Sequence, residues 1–284
     1  MGARGPGRHR PSLIHVPGRR LSATRTGEGP RPLVLLHGFL GSSRNVATLA
    51  RQLADGDPTL SVFALDLPGH GTSPALPAGA DLAVLARDVL ATARYLGGDT
   101  PSIVVGHSLG GRVALAACLL EPEAIAHVSL LDITPSPLHG ALDTALVLDA
   151  LLHAPDAGRD RDVFRVHFRS AGLNTEITEW LLLNLMRQDD VFRWRIDREA
   201  LAALHHRTGA EDLWPAVEGT HAYRLHCVRG ARSDYVDALD ARRLEAAGCP
   251  VDTVEAGHFL HVERPAEVVA LVRARLGGTS RARL

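Results

Sequence analysis

The first chemical signal in this chain is the run Gly106-His107-Ser108-Leu109-Gly110. A G-x-S-x-G pentapeptide alone is common, but this one follows the apolar run Ser102 to Val105 and precedes the helically spaced Arg112-Val113-Ala114-Leu115-Ala116-Ala117. Strand, sharp turn and helix in that order lift a serine hydroxyl clear of the backbone at a helix N-terminus, where developing negative charge is favoured. The flanking glycines fit a bend too tight for a β-carbon. The chemistry implied is attack by the Ser108 hydroxyl on an acyl carbon.

Such an attack places charge on an oxygen, and each preorganised donor to it is worth about 2.7–4 kcal/mol of barrier. The backbone N–H of Leu109, directly after the serine, is one candidate donor. The other is Phe39, in His37-Gly38-Phe39-Leu40-Gly41 at the end of the apolar run Leu33 to Leu36. The proton must go to a base, and with fifteen histidines the choice needs position as well as chemistry.

The elements that must hold these groups show in the hydrophobic pattern. Short Val/Ile/Leu-rich runs at Leu33–Leu36, Ser61–Leu65, Ser102–Val105, Val128–Leu131, Leu225–Val228 and Val251–Val254 predict strands buried on both faces. Helical stretches at Asn45–Leu53, Leu82–Leu96, Arg112–Leu120 and Ala266–Leu276 predict the crossovers, the last led by Pro265. The class is α/β, with a mostly parallel sheet flanked by helices. Ser12–Val16 and Arg19–Thr24, parted by Pro17-Gly18, predict a leading hairpin, and residues 1–11, rich in Arg, Gly and Pro, predict a disordered tail. From 136 to 219 no strand-like run interrupts a helical pattern carrying Trp180, Leu181, Leu182, Leu185, Trp194 and Trp214. This segment predicts a helical lid inserted between two parts of one core, 12–135 and 220–284.

Bulk composition narrows the function. A formal net charge of −1 gives no global field for nucleic acid, and small molecules are the expected partners. Lysine is absent, which removes Schiff-base catalysis. Cys118, Cys227 and Cys249 form no C-x-x-C pair that would suggest zinc or redox chemistry, and predict reduced thiols in a cytoplasmic protein. No apolar run is long enough for a membrane span. The oligomeric state, monomer or homodimer, is not legible.

Several segments together resemble one family: Leu36-His37-Gly38-Phe39-Leu40-Gly41-Ser42, Leu65-Asp66-Leu67-Pro68-Gly69-His70-Gly71-Thr72-Ser73, Gly106-His107-Ser108-Leu109-Gly110-Gly111, Asp132-Ile133-Thr134-Pro135 and Gly257-His258-Phe259-Leu260-His261. The chain resembles the α/β-hydrolase superfamily over about Leu33 to Leu276. Within it, the match is to the small bacterial YbfF-like esterases and their mitochondrial relatives. Leu181-Leu182-Leu183-Asn184-Leu185 and Trp194-Arg195-Ile196-Asp197 are similar to that family's lid.

The superfamily layout puts the histidine last, after the final strand, which selects His258 as base. His261, His107, His37 and His70 are then expected to pack or shape the site. Two aspartates at strand ends could orient His258: Asp132 after Val128–Leu131, and Asp234 after Leu225–Val228. Asp234 suits the chain order, though the more frequent spacing would put the acid at Ser233. The esterase resemblance favours Asp132.

Gly38, His107 and Phe259 beside these residues, with Trp180 and Leu185 from the insertion, are the substrate-contact candidates. The resemblance implies hydrolysis of a short- to medium-chain acyl ester or thioester, without metal or organic cofactor. The same features would serve carbon–carbon bond hydrolysis, acyl transfer or a natural-product tailoring step, and a catalytically silent ligand-binding protein is the alternative from another class.

Overall fold

A computed structural model describes residues 11–14, 20–138, 142–219 and 221–277. The expected tail, apart from Pro11, and the Pro17-Gly18 turn lie outside the described residues. Eight strands form the main sheet in the order β1-β2-β4-β3-β5-β6-β10-β11. They are β1 (Ser12–Ile14), β2 (Ala23–Thr26), β3 (Arg31–Leu36), β4 (Leu60–Leu65), β5 (Ser102–His107), β6 (Ile125–Leu131), β10 (Arg224–Gly230) and β11 (Val251–Val254). From β4 to β11 every neighbouring pair is parallel, while β2 pairs antiparallel with both β1 and β4.

The leading hairpin is present, but its second strand begins at Ala23 rather than Arg19. Leu21 and Ser22 turn their N–H groups to the side chains of Thr92 (3.0 Å) and Ser73 (2.8 Å) instead of a ladder partner.

Because side chains alternate along a strand, one run of apolar residues feeds two cores. In β3, Leu33 and Leu35 face α1 (Ala47–Gly56) and the late helix α10 (Pro265–Gly277). Val34 and Leu36 face the opposite core, with α2 (Leu82–Gly97) and α3 (Leu109–Leu120). Helix α8 (Ala238–Ala246) is the crossover from β10 to β11, and α9 (Leu260–Glu263) follows the last strand. Asp81 caps α2 by accepting the Val84 N–H at 2.8 Å, so α2 starts at Leu82 as the spacing predicts.

Between β6 and β10 lie α4 (Leu142–Leu152), α5 (Asp162–Ser170), α6 (Thr175–Leu182) and α7 (Arg198–Gly209). The segment is not wholly helical. β7 (Ala157–Gly158), β8 (Leu185–Gln188) and β9 (Val191–Trp194) form a small antiparallel sheet, β8 and β9 joined by the two-residue turn Asp189-Asp190 with Asp189 at φ 52°. Four-residue strands on a surface carry too little alternation to show in the sequence, and the preceding leucines extend the apparent helical period past the true end of α6.

Two arginines fasten this segment. Arg198 bonds the carbonyls of Leu151 and Ala154 and the carboxylate of Asp156 inside it. Arg112, fully buried on α3, bonds the carbonyls of Thr134 and Ser136 near the core and of Thr208 and Glu211 from the insertion.

Candidate active site

Among the described residues of the main core, three non-glycine residues sit at positive φ, and all three lie just beyond the carboxyl ends of parallel strands: Leu40 after β3 (57°), Ser108 after β5 (51°) and Asp132 after β6 (51°). Such backbone costs on the order of 1–3 kcal/mol per residue and persists only where surrounding bonds over-determine it. Ser108 donates its N–H to the Leu131 carbonyl at 3.1 Å, while its own carbonyl accepts the N–H groups of Gly111 and Arg112. Asp132 donates its N–H to the Val228 carbonyl at 2.8 Å. A β-carbon on Gly106 would come within 2.4 Å of the Gly110 carbonyl oxygen, so glycine there is a condition for the bend.

Asp132 has no exposed surface. Its Oδ1 accepts the Gly230 N–H at 2.8 Å; its Oδ2 accepts the Ser233 hydroxyl and faces His258 Nδ1 at 2.8 Å. An ionised carboxylate can only accept, so Nδ1 carries the hydrogen and Nε2 is left with a lone pair. Three donors offset the cost of burying that charge. Asp234, the other candidate, is exposed and lines a neighbouring groove. Ser233 sits on the carboxylate that holds the imidazole. Tyr235 stacks on the His258 ring at 3.8 Å between centroids and 16° between planes, a contact with no signature in the sequence.

The other histidines near the site are buried and braced. His37 places Nδ1 2.7 Å from the Gly38 carbonyl and accepts the Leu67 N–H on Nε2 at 3.0 Å. His70 faces the Pro68 carbonyl with Nδ1 and accepts the Leu40 N–H on Nε2 at 3.1 Å. Burial keeps both neutral, pulling His70 down to about 3. His107 lies against the rings of His258 and His261, with its Nε2 2.9 Å from the His258 carbonyl; burial and these two neighbours hold it well below its ordinary range. It therefore shapes the His258 loop as well as lining the cavity. The Asp66 carboxylate ties the loop after Leu40 to the turn before Ser73, accepting the N–H groups of Ser43 (2.6 Å) and Thr72 (2.8 Å).

These elements enclose a cavity of about 220 Å³. Ser108, His258, Gly38, Phe39, Leu109 and His107 form its floor; Trp180, Ile177 and Val147 of the insertion and Phe259 add an apolar wall. Among the described residues, neither the Phe39 nor the Leu109 N–H has an acceptor, though both residues line the cavity. Unpaired backbone donors in a largely apolar pocket are uncommon unless a ligand or water is to meet them.

One expected contact needs correction. Leu185 does not reach this cavity: it is 2% exposed, opens β8 opposite Trp194, and packs into the core of the insertion. Trp180, five residues earlier at the end of α6, is the insertion's large side chain at the cavity, 5.6 Å from the Phe259 ring. Among the described residues no group of three His, Cys, Asp or Glu could hold a metal ion.

An eight-stranded, mostly parallel sheet with a serine on a strained bend and a histidine paired to a buried aspartate beyond the strand ends defines an α/β-hydrolase fold. The chain belongs to the alpha/beta hydrolase family, whose model matches residues 33–271. Among curated proteins it is similar to lipase LipV of Mycobacterium tuberculosis, 29% identical over 259 residues that cover 88% of this chain and 94% of the relative. It is also similar to the sn-1-specific diacylglycerol lipase ABHD11 of Xenopus laevis, 28% identical over 83% of this chain and 76% of the relative. Ethanol acetyltransferase 1 of Kluyveromyces marxianus is 28% identical over 91% of this chain and 77% of the relative. Among solved structures, a marine microorganism esterase superposes with a TM-score of 0.81 at 21% identity, covering 90% of this chain and 99% of that one.

Proposed function

We propose that the protein is a carboxylic ester hydrolase in which Ser108, His258 and Asp132 act as a triad on an ester or thioester with a small apolar acyl group. The observation that carries this reading is the 2.8 Å contact between His258 Nδ1 and the fully buried Asp132, in the cavity that holds Ser108 on its strained bend. The similarity to LipV and to ABHD11 supports the ester-hydrolase class.

In this mechanism His258 Nε2 takes the Ser108 proton as Oγ bonds to the carbonyl carbon. The N–H groups of Phe39 and Leu109 meet the oxygen that becomes negative. Collapse breaks the bond to the leaving alcohol or thiol, which receives the proton from His258, and leaves an acyl-serine. Water, deprotonated by the same imidazole, then releases the acid and restores Ser108. The insertion, with Trp180 on the apolar wall, acts as a lid that shields these steps from bulk water. Cys118, Cys227 and Cys249 are buried and unbridged, which supports a reducing, cytoplasmic setting.

The test is labelling by a fluorophosphonate together with turnover of p-nitrophenyl acetate or butyrate. Ser108→Ala is expected to abolish both; full turnover in that variant would overturn the reading. Similarity to the ethanol acetyltransferase favours a second outcome, in which an alcohol rather than water accepts the acyl group. Ethyl ester formation when ethanol is added to the turnover assay, at the expense of free acid, would show it.

A further inference from the structure

We infer that the insertion sets one oxyanion donor through a relay of hydrogen bonds, with Asn184 as the positioning residue at its head. This rests on the triad reading above. Asn184, between α6 and β8, is buried, and its Nδ2 donates to the Leu40 carbonyl at 2.8 Å. Its place in the insertion is fixed by its own backbone: its N–H donates to Leu181 and its carbonyl accepts the Arg195 N–H, both at 3.0 Å.

The Leu40 carbonyl belongs to the peptide unit whose N–H is that of Gly41. That N–H donates to the Gly38 carbonyl at 3.0 Å. The Gly38 carbonyl in turn belongs to the peptide unit whose N–H is that of Phe39, the donor that opens onto the cavity without an acceptor of its own.

A trans peptide is planar, with C=O and N–H pointing in opposite directions, so holding the carbonyl aims the N–H. The chain runs from the Asn184 amide through peptide 40–41 to peptide 38–39 and ends at the reacting oxygen. Each donor in it also polarises the next in the low-dielectric interior. The core supplies only side supports: His37 on the Gly38 carbonyl and His70 on the Leu40 N–H between the two relay peptides. With Leu40 at φ 57°, the turn is strained, and loss of the Asn184 bond to the Leu40 carbonyl frees peptide 40–41 to rotate.

Removing an oxyanion donor outright costs about 10²–10³-fold in kcat, and misaiming one should cost less, about 10-fold. Asn184→Leu keeps the branched shape at a somewhat larger volume and removes the donor; Asn184→Ser keeps a shorter donor. With rates normalised to active sites titrated by fluorophosphonate, Asn184→Leu should lower kcat about 10-fold, with KM within about two-fold. Its affinity for a trifluoromethyl ketone, which forms the tetrahedral adduct, should fall by the same factor, while affinity for the product acid stays unchanged. Asn184→Ser should lie between Leu and wild type.

Asp156→Asn, which removes the exposed carboxylate from Arg198 within the insertion, is the control for mere loosening and should leave both readouts at wild-type values. Unchanged kcat and ketone affinity in Asn184→Leu, or equal losses in Asp156→Asn, would overturn the relay. A wild-type protein without turnover or labelling would instead overturn the triad reading beneath it.

Discussion

Two His–Asp pairs of the same length occupy opposite ends of the parallel sheet. At the carboxyl ends of the strands His258 Nδ1 meets Asp132 at 2.8 Å; in the lower half of β10 and β11 His226 Nε2 meets Asp252 at 2.8 Å. The second pair is a structural closure. His226 has no exposed surface, burial lowers it from the ordinary imidazole range against the pull of Asp252, and its Nδ1 has no partner. Arg275 covers the same Asp252 oxygen at 2.9 Å and, with His226, holds that carboxyl low although burial pushes the other way. The first pair keeps its carboxylate sealed but its imidazole open, with side-chain exposures of 0% and 19%, and shares a cavity with a hydroxyl on strained backbone. A His–Asp contact is therefore not a site by itself; what separates the two ends is which partner is exposed and what faces it.

Exchanging each carboxylate for an amide breaks the comparison most directly. Asp132→Asn presents His258 with a group that no longer fixes the Nδ1–H tautomer, and kcat should drop by about 10⁴-fold with the fold retained. Asp252→Asn should leave kcat unchanged and lower stability by about 1–3 kcal/mol, read by urea denaturation. Asp234→Asn, exposed and off the imidazole, should leave both near wild type. Equal rate losses for Asp132 and Asp234 would dissolve the distinction.

The sequence carried the site end of the sheet better than the insertion, for a physical reason. Parallel strands buried on both faces must be continuous apolar runs, so six of them showed at their observed places, and the strained turns after them must be glycine-flanked. Ser108 and both candidate carboxylates were therefore placed at strand ends by position, while His258 was picked out of fifteen histidines by position together with the superfamily layout. Which carboxylate faces His258 depends on the depth of one loop against another, as do the Tyr235 stack and the Asn184 relay. The antiparallel sheet of the insertion escaped because its strands are short and partly exposed. Arg112 did leave a trace: it is the one charged residue within the otherwise apolar α3, and such a charge has to find buried acceptors.

The insertion offers a smaller contrast of the same kind. Leu185→Ala should cost about 2–5 kcal/mol of stability through an internal cavity and leave the ratio of butyrate to acetate turnover unchanged, since the side chain never reaches the substrate. Trp180→Ala should change that ratio in favour of the longer acyl chain with a smaller loss of stability, because it deletes cavity wall rather than core. Chain-length profiles and urea midpoints of the two variants decide it; a selectivity change in Leu185→Ala would mean that the insertion transmits its packing to the site.

The smallest effect concerns the histidines that brace the site rather than act in it. Burial, reinforced by His258, pulls His261 down to about 3, and its Nδ1 is buried without a partner. In the unfolded chain this imidazole titrates near 6.5, so below that pH the unfolded state gains a proton that the native state refuses until about pH 3. Its stability contribution is thus intact above pH 6.5 and lost as the pH falls through that window, at about 1.4 kcal/mol per unit. Between pH 7.5 and pH 5 the loss comes to about 2 kcal/mol. His261→Leu removes both the orphaned nitrogen and the titration, so its urea-derived stability should decline less than wild type over that interval, by about this amount. An unchanged slope would place the acid sensitivity elsewhere, with the other buried imidazoles, among them His37, His70 and His107 at the site and His127 and His226 at the far end of the sheet, as proton acceptors to test.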